Sequence, residues 1–303
     1  MHEGSRKAII AAFFANLGIA ISKFVGFLLT GSAGLAAESV HSLADTGNQG
    51  LLLLGAKRAL RERDEEHPFG HERERYFWAF VVALVLFSMG GLFAIYEGIS
   101  KFRHPHKTES VGIAVGILVV AILLETFSLR TAVREVAHVK PAGQSYWQFI
   151  KRAKSPELPT VLLEDIAAET GLFIALFGVL MGHYTHNSRW DAAGSIGIGV
   201  LLVVVAFILG VEMKALLMGE TATRENRMAL ATALRGHEHV RSVVYMHTEH
   251  LGPDTLLVAA KVIFDPSLPA AAVSRTIDEA EAAMRVAVPI AKFIFIEPDM
   301  ARV

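Results

Sequence analysis

Over the first two thirds of the chain, apolar residues run together instead of alternating with polar ones. A membrane span needs about 20 mostly apolar residues. Six stretches reach that length: 8–30, 33–56, 77–100, 111–134, 161–183 and 190–217. The third, fourth and sixth are clean, whereas ionisable residues interrupt the second and fifth. After about residue 218 the texture changes. TATRENRMALATALRG has the period of an amphipathic helix, and VRSVVYMHTEHL and DTLLVAAKVIF read as strands parted by the turn signal Gly252-Pro253-Asp254. A second helix follows, with Ser267 as its start signal, and IAKFIFIE closes as a strand. The pattern predicts a membrane α-helical bundle of six transmembrane helices over 1–218. A C-terminal cytoplasmic α+β domain, ordered α-β-β-α-β, follows over 219–303.

Composition narrows the class. Hydrophobic residues make up 52% of the 303 and charged residues 19%; there is no cysteine, and the net charge is −1. Disorder and a disulfide-stapled fold do not fit. A neutral balance argues against a nucleic-acid partner. Without thiolates, any metal must be held by His, Asp, Glu, Asn or water. Arg6 and Lys7 precede an apolar run with no small-residue cleavage site, so this run reads as a retained first span.

Lys and Arg set the orientation. The N-terminus, the 57–76 loop and the 130–160 region together carry fourteen; the opposite loops carry four: Lys101, Arg103, Lys107 and Arg189. Both termini are therefore expected in the cytoplasm, with a bacterial inner membrane as the expected location. The segment 138–160 reads either as a structured loop or short interfacial helix, because Tyr146, Trp147, Phe149 and Ile150 adjoin Lys151 and Arg152, or equally as an ordinary cytoplasmic loop.

The interrupted spans carry the chemistry. In the second, His41 and Asp45 lie one helical turn apart, with Glu38 and Asn48 on the same stripe. In the fifth, Asp165 and Glu169 repeat that spacing beside Glu164. Ionisable groups in hydrocarbon face a bundle interior or a wet cavity. Two carboxylates one turn apart repel unless a cation or proton sits between them. One imidazole and three carboxylates from two facing helices make a plausible site for a divalent metal. The bland alternatives are a buried polar network in the second span and a solvated helix start at 165–169. Lys23 and Glu125, in the first and fourth spans, are further charges whose separation the sequence does not give. His67 and His71 flank Pro68-Phe69-Gly70 after Asp64, Glu65 and Glu66, a looser metal site or a plain charge run. His104, His106, His183, His186, His237, His239, His247 and His250 read as surface histidines.

Together these segments resemble the cation diffusion facilitator (zinc transporter) family, through SVHSLADTGNQ, HPFGHERER and the acidic pair on the fifth span. The Asp-x-x-x-Glu pair resembles the branch of mammalian zinc transporter nine. The resemblance implies a homodimer in the lipid bilayer that exports divalent metal by proton-coupled antiport, with a metallochaperone-like C-terminal domain. It assigns His41, Asp45, Asp165 and Glu169 to the transport site, and His67 and His71 to a loop site. Zn²⁺ is the expected cargo and H⁺ the counter-ion. An oxygen-rich site also admits Mn²⁺, Fe²⁺ or Co²⁺. Val244, Ala260 and Ile296 stand where some relatives carry C-terminal histidine ligands, so a metal site there is not expected. A non-transporting scaffold with a structural ion is the rival reading. An enzyme is not expected, since no hydrolase motif is present.

Overall fold

The computed structural model describes residues 3–105 and 110–300, with side chains from Asn16 onward. Helices α1 (Glu3–Thr30), α2 (Ala33–Arg58), α3 (Glu74–Arg103), α4 (Val111–Val139), α5 (Tyr146–Arg152), α6 (Glu157–Tyr184), α7 (Arg189–Met218) and α8 (Arg224–Arg235) come first. Strands β1 (Val240–Gly252) and β2 (Thr255–Phe264), helix α9 (Ala270–Ala287) and strand β3 (Ala291–Asp299) follow. The chain forms two compact units. One comprises Met1–Lys57 and Phe77–Met213, and the other Arg58–Tyr76 and Lys214–Val303.

In the first unit, α3, α4, α6 and α7 are long and apolar enough to cross a membrane. Their shared core is leucine-rich: Leu35, Leu86, Leu118, Leu162, Leu172 and Leu202 are all essentially buried. Large apolar residues point outward as well, among them Leu123, Phe127, Phe173 and Phe207. In water such faces would be a liability, whereas lipid tails cover them at no cost. The polar stripe keeps α2 from reading as an apolar span. α4 continues to Val139, so Arg130 and Arg134 lie on a helix and not in a loop. Helix α3 widens into one π-helical stretch at Leu86–Leu92, which contains Gly90 and Gly91. Glycine is needed where α3 crosses α7. A Cβ on Gly98 would sit 2.8 Å from the Ala192 carbonyl oxygen, and one on Gly199 would sit 2.7 Å from the Ile95 nitrogen.

In the second unit the sheet order is β1-β2-β3, with β2 antiparallel to β1 and parallel to β3. Helices α8 and α9 supply Leu230, Leu234, Ala280 and Met284 to its core, against Leu256, Val258 and Val262. Thr223 caps α8 by accepting from the Asn226 amide. The start signal assigned to Ser267 is corrected: α9 begins at Ala270 after Pro269. The Ser267 amide and hydroxyl donate instead to Asp265 and hold its carboxyl below the ordinary range. A second correction concerns His250, which is buried, with its Nδ1 3.2 Å from the Gly252 carbonyl. The last residues of β1 fold inward toward the turn, so strand alternation misplaces it. His106 lies outside the described residues. His104, His183, His186 and His247 are exposed, and His237 and His239 are partly so.

Candidate metal centres

Helix α2 begins at a tight turn, where Gly31 has φ +64°. Its stripe of Glu38, His41, Asp45 and Asn48 is built as the spacing predicts: Glu38, His41 and Asn48 are fully buried, and Asp45 is partly so. His41 Nδ1 lies 3.4 Å from Asp45 Oδ1. On α6 the first helical residue is Glu157, so Asp165 lies two turns inside the helix and is not a solvated start.

Asp45 of α2 and Asp165 of α6 line one cavity, with Glu164, Glu125, Ser42, Ser128 and Gln49 around it. Its free space is about 20 Å³, enough for a water molecule or an ion. His41 and Glu169 are not in that lining. His41 stands behind Asp45, while Glu169 Oε1 accepts from Thr126 of α4 at 2.7 Å. Asp165 accepts from Ser128 at 3.0 Å, and Glu164 from Asn48 at 2.7 Å. The sequence did not give Glu164, Glu125 and Asn48 a role; the fold sets all three at or beside the cavity.

Lys23 of α1 is the cation of this region. Its ammonium is fully buried, 3.2 Å from Glu38, 3.6 Å from Glu125 and 2.7 Å from the Ser42 hydroxyl. Glu38 and Glu125 therefore have a cationic partner. Among the described residues, no Lys or Arg pairs with Asp45, Glu164 or Asp165. Several polar atoms here are buried without a hydrogen-bond partner: both ring nitrogens of His41, Asp45 Oδ1, Asn48 Oδ1 and Glu169 Oε2. Such orphans are costly in an apolar interior unless something else meets them.

A separate polar cluster binds the far end of α2. Asp191 accepts from the Ala33 amide at 2.8 Å and the Ser32 hydroxyl at 2.8 Å, which satisfies donors that every helix N-terminus leaves open. Lys101 pairs with Asp191 at 2.7 Å and donates to the Gly31 carbonyl at 2.5 Å. Lys101 is 1% exposed, so it is corrected from a loop charge to a buried one. Asp191 escaped the sequence reading, since an acid at the start of an apolar helix looks like ordinary punctuation.

In the second unit, Asp64, His67 and His71 converge. Their ligand atoms lie within 4.8 Å of one another, the one such group among the described residues. Asp64 accepts from the His67 amide at 2.6 Å; its carboxylate also lies 3.0 Å from His67 Nδ1 and 3.2 Å from His71 Nε2. The two rings are 4.3 Å apart. Partial desolvation works against ionising Asp64, but the hydrogen bonds from His67 and His71 outweigh it and hold the carboxyl below its usual range. Gly70, at φ +92°, makes the turn that folds the two histidines together. The loop is seated on the sheet: Phe69 packs edge-on against Phe293 at 5.1 Å, and the Arg63 guanidinium lies 4.4 Å from the same ring. Glu72 pairs with Lys292 at 3.2 Å, Arg75 with Asp254 at 3.3 Å, and Arg73 with Glu249.

The cation efflux transmembrane domain model matches residues 9–218. The human mitochondrial proton-coupled zinc antiporter SLC30A9 is 32% identical over 265 residues, covering 87% of this chain and 46% of that protein. Metal tolerance protein C4 of Arabidopsis thaliana is 29% identical over 87% of this chain and 58% of its own length. The cation-efflux pump FieF of Klebsiella pneumoniae is 25% identical over 92% of this chain and 87% of its own. The chain thus spans about half the length of the SLC30A9 and C4 relatives.

Proposed function

Because the chain belongs to the cation efflux family, we propose that it is an integral membrane transporter of divalent metal cations, and not an enzyme. The observation that carries this reading is the placement of Asp45 and Asp165, from two helices, on one small cavity with Glu164, none of the three paired with a Lys or Arg among the described residues. Carboxylates gathered this closely need a cation or protons. We assign His41, Asp45, Asp165 and Glu169 to the transport site, as the sequence expects, with His41 and Glu169 moving inward when metal binds. Asn48 and Ser128 orient the carboxylates from outside.

Zinc is the first cargo to test, supported by the name of the human relative. Mn²⁺, Fe²⁺ and Co²⁺ follow, because three of the four donors are oxygen acids. Exchange for protons follows from ligand chemistry: a site that must be deprotonated to bind metal releases protons on loading and takes them up on release. His41 is the natural carrier, since an imidazole nitrogen released by the metal can take up a proton. The loop site of Asp64, His67 and His71 holds a second ion in this reading, at the soluble unit. Six spanning helices, cytoplasmic termini and a homodimer belong to the same proposal.

The test is metal flux into proteoliposomes under an imposed pH gradient, with internal pH recorded. Wild type should take up Zn²⁺ while protons move the other way. Asp45→Ala should lose both, by at least about 100-fold, as expected when a principal ligand is removed. Zinc flux that ignores the pH gradient would remove the antiport part, and absence of flux in folded protein would remove the transporter.

A further inference from the structure

Between Val136 and Glu157 the chain carries Lys140, Lys151, Arg152 and Lys154, and no Asp or Glu. Helix α5 lies in this segment. Seven residues are too few to hold a helix alone. Two features hold it: a reciprocal cap, in which Ser145 accepts from the Gln148 amide and Gln148 accepts from the Ser145 amide, and an apolar anchor. The anchor is Phe149 and Ile150, buried in the same core as Ala132, Val136 and Leu163 of α4 and α6. The opposite side is unlike a soluble surface. Tyr146 and Trp147 are 41% and 47% exposed, and Lys151 and Arg152 stand exposed beside them. The Lys151 ammonium lies 5.1 Å from the Trp147 ring, and that of Lys140 lies 5.6 Å from Tyr146.

Two exposed aromatic rings, each with a cation beside it, at the ends of apolar helices have the chemistry of the headgroup level of a bilayer. Indole and phenol rings partition there, while ammonium and guanidinium groups bind phosphate oxygens. We propose that Lys140, Tyr146, Trp147, Lys151 and Arg152 form a binding surface for anionic phospholipid headgroups. Charge complementarity selects the occupant: zwitterionic headgroups give a basic run no net attraction, whereas an anionic one contributes about fivefold in affinity per nearby Lys or Arg. The surface sits on α4 and α6, the helices of Thr126, Ser128, Asp165 and Glu169, so a bound lipid braces their ends. The proposal rests on the membrane reading of α4 and α6 and not on the metal reading, so the two can fail separately.

The test uses the full chain in nanodiscs of phosphatidylcholine containing spin-labelled phosphatidylglycerol or spin-labelled phosphatidylcholine. Wild type should retain the anionic probe preferentially, and the preference should disappear in 1 M salt, where screening reaches about 3 Å. Lys151→Glu with Arg152→Glu should cut it by roughly tenfold or more, and Lys151→Arg should leave it unchanged. No anionic preference in wild type, or full preference in the double charge reversal, overturns the proposal. A second readout needs no charge change. With Trp78→Phe and Trp190→Phe, Trp147 is the remaining tryptophan, and lipids brominated near the headgroup should quench it. Quenching equal to that of a water-exposed indole overturns the proposal even where the charge variants fold poorly. Binding of an acidic peptide in preference to anionic vesicles likewise overturns it.

Discussion

Lys23, Glu38 and Gly171 form a stack in which each residue fixes the next. The Lys23 ammonium is wholly buried and tied to Glu38 and Glu125. Removing it leaves two carboxylates without their cation, and breaking a buried pair costs about 3–5 kcal/mol. Lys23→Met should therefore lower the thermal midpoint in detergent sharply. The triple change Lys23→Met, Glu38→Gln, Glu125→Gln should recover most of the loss, and an unrecovered triple variant would argue against charge pairing. Gly171 is the floor under Glu38: a Cβ there would lie 2.3 Å from Glu38 Oε1. Gly171→Ala should displace the carboxylate and cost about 1–3 kcal/mol, measured as a shift in the same midpoint. The i,i+4 pairs His41/Asp45 and Asp165/Glu169 were legible, because a helical period alone places them. The Lys23–Glu38 pair was not, because it depends on the rotation of two helices about their axes, which no local pattern encodes. For the same reason the sequence listed Glu164 and Glu125 without placing them.

At the scale of elements, the apolar lengths predicted most helices to within a few residues, since hydrocarbon thickness and helical rise set them. Their ends were less legible. The N-terminus of α2 is closed by Asp191, which lies more than 150 residues away in the chain. Asp191→Ala should uncover the Ala33 amide and take the counter-charge from Lys101, at a cost of about 3–5 kcal/mol. Lys101→Met in that background should restore part of it, both read by thermal unfolding in detergent. The loop 58–76 gives a pH test. Hydrogen bonds hold the Asp64 carboxyl below its ordinary value of about 3.9, so its contribution to loop order is present above that value. It is lost as pH falls through the depressed folded value. Amide exchange at His67, whose N–H donates to Asp64, should accelerate over that acid window relative to Ser145, and Asp64→Asn should remove the acid dependence.

Across the whole molecule, the arginines of 58–76 serve two purposes. Read along the sequence, they are part of the Lys and Arg bias on which the proposed orientation rests. Read in the fold, Arg73, Arg75 and Arg63 pin the loop to the sheet at Glu249, Asp254 and Phe293. The loop that gathers Asp64, His67 and His71 is thus ordered by residues of the C-terminal domain some two hundred positions away. Sequence alone separated the two because periodicity sees the 58–76 stretch as a connector between spans. The sheet edge that receives it becomes visible when β2 and β3 pair in parallel and bring Asp254, Lys292 and Phe293 to one end. Phe293→Ala removes a ring contact worth about 0.5–1.5 kcal/mol and a cation–π contact of about 0.5–1 kcal/mol at an exposed site. The loop should then open more often, and Co²⁺ binding at the three-residue site should weaken by about five- to sixtyfold, read from the metal's visible absorption. Phe293→Leu, which keeps part of the packing, should fall between. If Phe293→Ala bound Co²⁺ as tightly as wild type, the loop would hold its geometry without the domain, and the cluster would be a property of the HPFGH turn alone.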